Sequence, residues 1–265
     1  MKVPASKQIE FNSLVDSTRL SKRSSFYRTI WGGGGPIPID RSKFEDTPLA
    51  GRLYRSPKGF TRIVHGPSPF LILRGLDDLR SEPLNSSCKR PLVLFLDSGE
   101  SIEKSLWFYE HDVVPIAGEH SAPEATVLGI RQLGVDAIIA DLAMARMFTR
   151  SSSPDFLREI PLTLCERHVA PDAVLELMAT YKSLQVVLTS PETGAFAVSC
   201  PSLITDGACL FHVTRTSIVE FNGVLRITRL LELPTPIIRY ESGFFAKPAT
   251  ATCGCAEKEE SFVLL

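Results

Sequence analysis

From residue 90 onwards the chain alternates short apolar runs with amphipathic stretches, and this alternation restricts the available folds more than any other feature. Residues 91–96 read Pro-Leu-Val-Leu-Phe-Leu and stop at Asp97, Ser98 and Gly99. A continuous apolar run of this length, closed by turn residues, is what a strand covered on both faces needs. Residues 102–109 read as a helix and 112–116 as a short strand. A second helix follows over 122–133, with Ala125, Leu128, Ile130 and Leu133 apolar, then a third strand over 134–140 and a short helix over 142–148. Residues 160–166 lead into a helix over 170–178, where Pro171 and Asp172 suit the first turn, and 184–188 is the next strand. This pattern predicts an α/β fold with a mixed, largely parallel sheet and flanking helices.

The end of the chain has a different texture. Residues 224–227 alternate like a half-buried strand, Pro234 and Pro236 interrupt, and Ile237, Ile238 and Tyr240 read as a second strand before the turn at Gly243. The expected division is a helical lead-in and loop-rich segment over 1–90, an α/β core over 91–195, and a smaller β-rich subdomain over 196–265. Residues 32–36, four glycines and a proline, have no strand before them and no Lys-Ser/Thr after them. They read as a flexible connector rather than a phosphate cradle.

Charge and composition exclude several classes. The 265 residues are 44% hydrophobic and 22% charged, with a formal net charge of -1. That balance suits a globular chain with a real core and supplies no general attraction to nucleic acid or acidic membranes. No apolar run approaches the roughly 20 residues that span a bilayer, and the polar start lacks a signal-peptide core, so a cytoplasmic location is expected. The six cysteines are then better read as thiols or metal ligands than as disulfides. Cys88 and Cys165 stand alone and read as small buried or surface thiols. His65, His111, His120 and His168 show no partner pattern of a catalytic triad.

The order of motifs from Glu192 onward resembles the phenylacetate-CoA ligase branch of the adenylate-forming ligases, with its coenzyme F390 synthetase and capsular CapK-like relatives. Pro-Ile-Ile-Arg-Tyr-Glu-Ser-Gly at 236–243 is similar to that branch's P-x-I-R-Y-x-T-G-D, with Phe244 in the place of the acid. Residues 189–194 resemble Y-G-x-T-E-x-G, aligning Glu192 and Gly194. Glu166 falls on the family's strand-ending G-E, with Cys165 where glycine is usual, and Phe26, Tyr27 and Arg28 resemble an element near the family's start. Cys200-Pro201, Asp206-Gly207, His212 and Ile218-Val219-Glu220 follow the branch's C-P, D-G-x-H and I-V-E, and Cys253-Gly254-Cys255 its C-x-C.

The resemblance implies a shortened adenylate-forming N-terminal domain and, with it, roles for these residues. Glu192 would be catalytic, holding the magnesium that accompanies ATP. Glu166, Gly194, Arg239 and Tyr240 would contact the nucleotide. Cys200, His212, Cys253 and Cys255 would hold a structural zinc, a donor set that makes a closed tetrahedral site. Cys209, three residues before His212, is a rival for the fourth ligand. The expected activity joins a small carboxylic acid to AMP and passes it to CoA or a carrier protein. Three elements depart from the family. Residues 54–62 offer only Ser56, Lys58, Gly59 and Thr61 where a phosphate loop would lie, Phe244 cannot accept from a ribose, and the family's C-terminal lid domain is expected to be absent. The alternative expectation is therefore a non-catalytic, zinc-stapled relative that binds a ligand or protein. A homodimer, or a partner that supplies the lid, is expected in either case; nucleic acid and membrane are not.

Overall fold

A computed structural model describes residues 3–20, 25–53, 59–64, 70–85, 87–118, 123–151, 154–205, 208–231, 233–249, 253, 255 and 260–265. The chain begins with α1 (Gln8–Leu20), α2 (Ser25–Trp31), α3 (Arg41–Glu45) and α4 (Leu49–Arg52), then the hairpin strands β1 (Gly59–Val64) and β2 (Phe70–Gly75) and the helix α5 (Leu76–Arg80). The alternating core follows as β3 (Pro91–Leu94), α6 (Ser98–Glu110), β4 (Ile116–Ala117), α7 (Pro123–Leu133), β5 (Ala137–Ala140), α8 (Leu142–Ser151), α9 (Pro154–Leu157), β6 (Pro161–Glu166), α10 (Pro171–Thr180) and β7 (Ser183–Ser190). The remainder is β8 (Gly194–Thr205), β9 (Ala208–Val213), β10 (Ser217–Asn222), β11 (Val224–Arg229), β12 (Tyr240–Pro248) and β13 (Ser261–Leu264).

The expected α/β architecture is present. Eleven strands form one sheet in the order β10-β11-β12-β13-β9-β8-β7-β6-β5-β3-β4. β4, β3, β5, β6 and β7 run parallel, and every pairing from β7 to β10 is antiparallel. The β-rich C-terminal strands thus continue the parallel sheet rather than building a second one.

The central residues of the parallel strands are apolar because alternate residues serve opposite layers. Leu92, Leu94, Ile138, Ala140, Leu162 and Leu164 face α7, α8 and α10, with Val127, Ile130, Phe148, Val174 and Leu177 filling that layer. Val93, Phe95, Ile139, Cys165 and Val187 meet Trp107 and Phe108 of α6 on the other face. Asp97 caps α6 by accepting from Glu100 N at 3.1 Å.

Two expectations are corrected. Residues 37–90, read as loop-rich, contain α3, α4, β1, β2 and α5. Residues 236–239 are not strand; β12 begins only at Tyr240. Pro234 and Pro236 deny the ladder donors, and Arg239 sits at φ 52°, in the left-handed region. Ile237 and Ile238 are nevertheless buried, against Phe26, Tyr27, Trp31 and Phe44 of the N-terminal helices. No described helix is long and apolar enough to cross a membrane.

Candidate functional site

A cavity of about 420 Å³ opens beyond the carboxyl ends of β6 and β7, the end of a parallel sheet where ligands ordinarily bind. Glu192, Ser190, Arg167, Arg41, Tyr240 and Phe244 are among its lining residues. Glu192 sits on the tight turn joining β7 to β8. That turn is closed from within, Thr193 N donating to Ser190 Oγ at 3.1 Å and Thr193 Oγ1 to Gly194 O at 2.9 Å. Glu192 is 1% exposed. Neither of its oxygens has a hydrogen-bond partner among the described residues, while Arg41 Nη1 and Arg167 Nη2 each lie 3.6 Å away. Tyr240 is buried edge-on against Phe44, and burial holds its phenol well above its ordinary pKa. Phe244 stacks on His168 with centroids 5.5 Å apart.

The other residues expected at a nucleotide site take different places. Gly194 does not line the cavity. It stands at φ +66°, and the Arg74 guanidinium occupies the space that a Cβ there would need. Arg239 also lies off the cavity wall: its Nε and Nη2 donate to both oxygens of Glu220 at 2.9 and 3.0 Å, and its Nη1 to Pro36 O at 2.7 Å. Glu166 lines a neighbouring cavity with Asp97, Glu100, Asp141 and Arg167, and accepts from Leu142 N at 2.7 Å. Burial pushes its carboxyl up to about 7, helped by Asp141 and Glu100. Residues 54–58 of the expected phosphate-loop stretch lie outside the described residues, and the glycines at 32–35 form a turn after α2 with Gly34 N donating to Trp31 O at 2.9 Å.

Beneath the Glu192 turn lies a charged cluster that the sequence reading missed. Arg74, Lys104 and Arg229 meet Asp78, Glu82 and Glu103, all essentially buried. Arg74 pairs with Asp78, with Glu103 at 3.0 Å and with Glu82 at 3.3 Å. Lys104 reaches Glu82 at 2.5 Å, and Arg229 reaches Asp78 at 3.1 Å. Burial alone would lower Lys104, but Glu82 and Glu103 outweigh it and hold the ammonium above its ordinary pKa. No single spacing announces this set, because it joins β2, α5 and the residues just after it, α6 and β11.

A second constellation lies in the antiparallel half. Cys200, His212, Cys253 and Cys255 each present a ligand atom, and all four atoms lie within 4.8 Å of one another. Cys255 Sγ is 3.1 Å from both Cys200 Sγ and His212 Nε2, and Cys253 Sγ is 3.3 Å from that nitrogen. The register explains the meeting. Val198 on β8 faces His212 on β9, so Cys200, two residues on, shares that side of the sheet. Cys209 differs from His212 by an odd number of positions, and with Phe211 and Val213 it belongs to the opposite, apolar face. Zinc bonds of about 2.3 Å to sulfur set tetrahedral sulfurs about 3.8 Å apart. The 3.1 Å pair of Cys200 and Cys255 sulfurs would need to open slightly, and the residues present fit the ion.

No family model matches the chain, and no curated protein does. Its fold is similar to that of 2-hydroxyisobutyryl-CoA ligase in an open conformation in complex with 2-HIB-AMP and CoA: TM-score 0.71 at 10% identity, covering 97% of this chain and 67% of that one. The same ligase in its postadenylation state in complex with 2-HIB-AMP gives 0.69 at 11%, over 94% and 65%. An amide bond synthetase, McbA from Marinactinospora thermotolerans, gives 0.54 at 13%, over 88% and 53%. The chain therefore spans about two thirds of the ligase's length, and at these identities the likeness is one of fold.

Proposed function

We propose that the chain is an adenylate-forming ligase-like protein of the phenylacetate-CoA ligase branch. In this reading a small carboxylic acid attacks the α-phosphorus of ATP, pyrophosphate leaves, and the acyl group passes from AMP to CoA or a carrier acceptor. The observation that carries it is the cavity at the ends of β6 and β7. Its walls are built by Glu192 and the 240–244 segment, the two stretches whose motifs resemble the family, in a fold shared with acyl-CoA and amide-forming ligases. Tyr240 would form an apolar wall for the substrate. With Phe244 in the acid's place, acceptance from the ribose hydroxyls would fall to Glu241 or Asp40 on the same wall. Bound ATP would supply the leaving pyrophosphate; the chain's own part is to orient the acid and exclude water. The Cys200, His212, Cys253 and Cys255 cluster would hold zinc as a staple, remote in role from the chemistry.

ATP–pyrophosphate exchange with a panel of aryl and fatty acids tests this. Exchange above background with at least one acid is expected. Absence of exchange with every acid, together with no stabilisation by ATP, would instead favour the non-catalytic binding relative.

A further inference from the structure

A buried carboxylate without hydrogen bonds must find a counter-charge or take up a proton. At Glu192 two counter-charges are already built in. Arg41, at the start of α3, sits beside Oε1, and Arg167, directly after β6, sits beside Oε2, each at 3.6 Å. The two guanidiniums approach different oxygens from different elements. A magnesium ion binds carboxylate oxygen at about 2.0–2.1 Å and keeps several waters around it. Placed on either oxygen of Glu192, it would be pressed against a guanidinium of like charge. Magnesium does not fit this carboxylate as it is arranged.

Nor does the surrounding charge ask for one. Asp40 and Glu241 also line the cavity, but Lys43 Nζ lies 3.5 Å from Asp40 and Arg226 Nε 3.0 Å from Glu241. Arg41 is shared between Glu192 and Glu45, the latter at 2.6 Å. At 3.6 Å neither guanidinium makes a close hydrogen bond to Glu192, so the carboxylate positions them by charge. Arginine is the side chain whose planar fork suits phosphate oxygens.

The geometry points to an anion clamp: Arg41 and Arg167, positioned by Glu192, receive a phosphate group of the ligand directly, in place of a divalent cation. The clamp deepens the nucleotide reading of the cavity and rests on it only for the identity of the anion. The cavity, about 420 Å³, is in the range that holds a small ligand such as a nucleoside monophosphate.

The test is calorimetric titration of the full chain with AMP, ATP and inorganic pyrophosphate, in magnesium-free buffer and again with excess magnesium chloride. No chelator is used, so the cysteine–histidine cluster stays undisturbed. AMP is the main probe, because it binds magnesium weakly itself. AMP is expected to bind without magnesium, with its Kd moving less than about twofold when the ion is added. Arg167→Ala is expected to weaken AMP by about tenfold or more, whereas Arg146→Ala, which breaks an exposed pair with Glu176, leaves it unchanged. Arg167 is 39% exposed, so its variant folds, and an unaltered unfolding midpoint checks this. Pyrophosphate binding that needs Arg167 but not magnesium, with no binding of AMP or ATP, keeps the clamp and removes the nucleotide reading. Nucleotide binding seen only with magnesium, or unaffected by Arg167→Ala, overturns the clamp and keeps the nucleotide reading. If none of the three ligands binds, both fall.

Discussion

Gly194 shows how one missing side chain serves two layers of the molecule. Its φ of +66° is the left-handed region, and a Cβ placed there would lie 2.3 Å from Arg74 Nη2. Gly243 has a similar φ of +81° but nothing within 4 Å. Gly243→Ala should therefore cost about 1 kcal/mol, the backbone penalty alone. Gly194→Ala adds the displacement of a buried guanidinium and should cost about 3 kcal/mol. Urea midpoints of the two variants decide the matter, and equal losses would show that Arg74 yields freely. Glu166 makes a prediction of a different kind. Its carboxyl titrates near 7 in the fold, against 4.5 for an exposed glutamate, chiefly because of burial. The folded state thus holds the extra proton between those values, so stability is fullest below about pH 4.5 and declines as pH rises to about 7. Glu166→Gln keeps an acceptor for Leu142 N and removes the titration. The variant should match the parent near pH 4 and exceed it by up to about 3 kcal/mol at pH 8. A pH-independent difference would count against this account.

At the level of elements, the alternation that begins at residue 91 was legible because each strand is buried on both faces and each helix carries one apolar side. The four candidate metal ligands were legible only through a resemblance, and the choice between Cys209 and His212 was not. Strand parity settles which of the two faces the other thiols, and parity needs a register that sequence does not print. The 236–239 stretch misled for a related reason: Ile237 and Ile238 are as apolar as a strand, yet they plug a helical layer between prolines and a left-handed arginine. Cys253 and Cys255 precede β13, which inserts between β9 and β12, so an ion shared with Cys200 and His212 would pin that insertion. Purified chain should carry about one zinc. Cys255→Ser, which removes a thiol 3.1 Å from both Cys200 Sγ and His212 Nε2, should lose the ion and lower the unfolding midpoint by several degrees. Cys209→Ala should keep full zinc occupancy. Metal analysis of the two variants measures the contrast, and loss of zinc from Cys209→Ala would contradict the parity argument.

On the scale of the whole molecule, the least legible feature is also the one that ties its parts together. Residues 74–82 come from the segment read as helical lead-in and loop, and nothing local says that Arg74, Asp78 and Glu82 are interior. Their partners are distant in sequence: Glu103 and Lys104 on α6, Arg229 on β11, and the backbone of Ala195, whose N–H donates to Glu82 at 3.4 Å. Three cations and three carboxylates balance, and the network fixes the floor under the Glu192 turn. A balanced buried network contributes little net stability, because desolvation offsets attraction, but an unbalanced one is expensive. Arg74→Leu leaves three carboxylates against Lys104 and Arg229, and should cost about 3–5 kcal/mol. The loss should be greater at pH 8 than at pH 5, since one surplus carboxyl can be neutralised only by taking up a proton. Adding Glu103→Leu to that variant leaves Lys104 with Glu82 and Arg229 with Asp78, two complete pairs. The double variant should then recover at least about 1 kcal/mol relative to the sum of the singles and lose the pH dependence. Urea unfolding of the parent, both singles and the double at the two pH values measures this directly. Additive losses would mean that the six charges act as independent pairs rather than as one network.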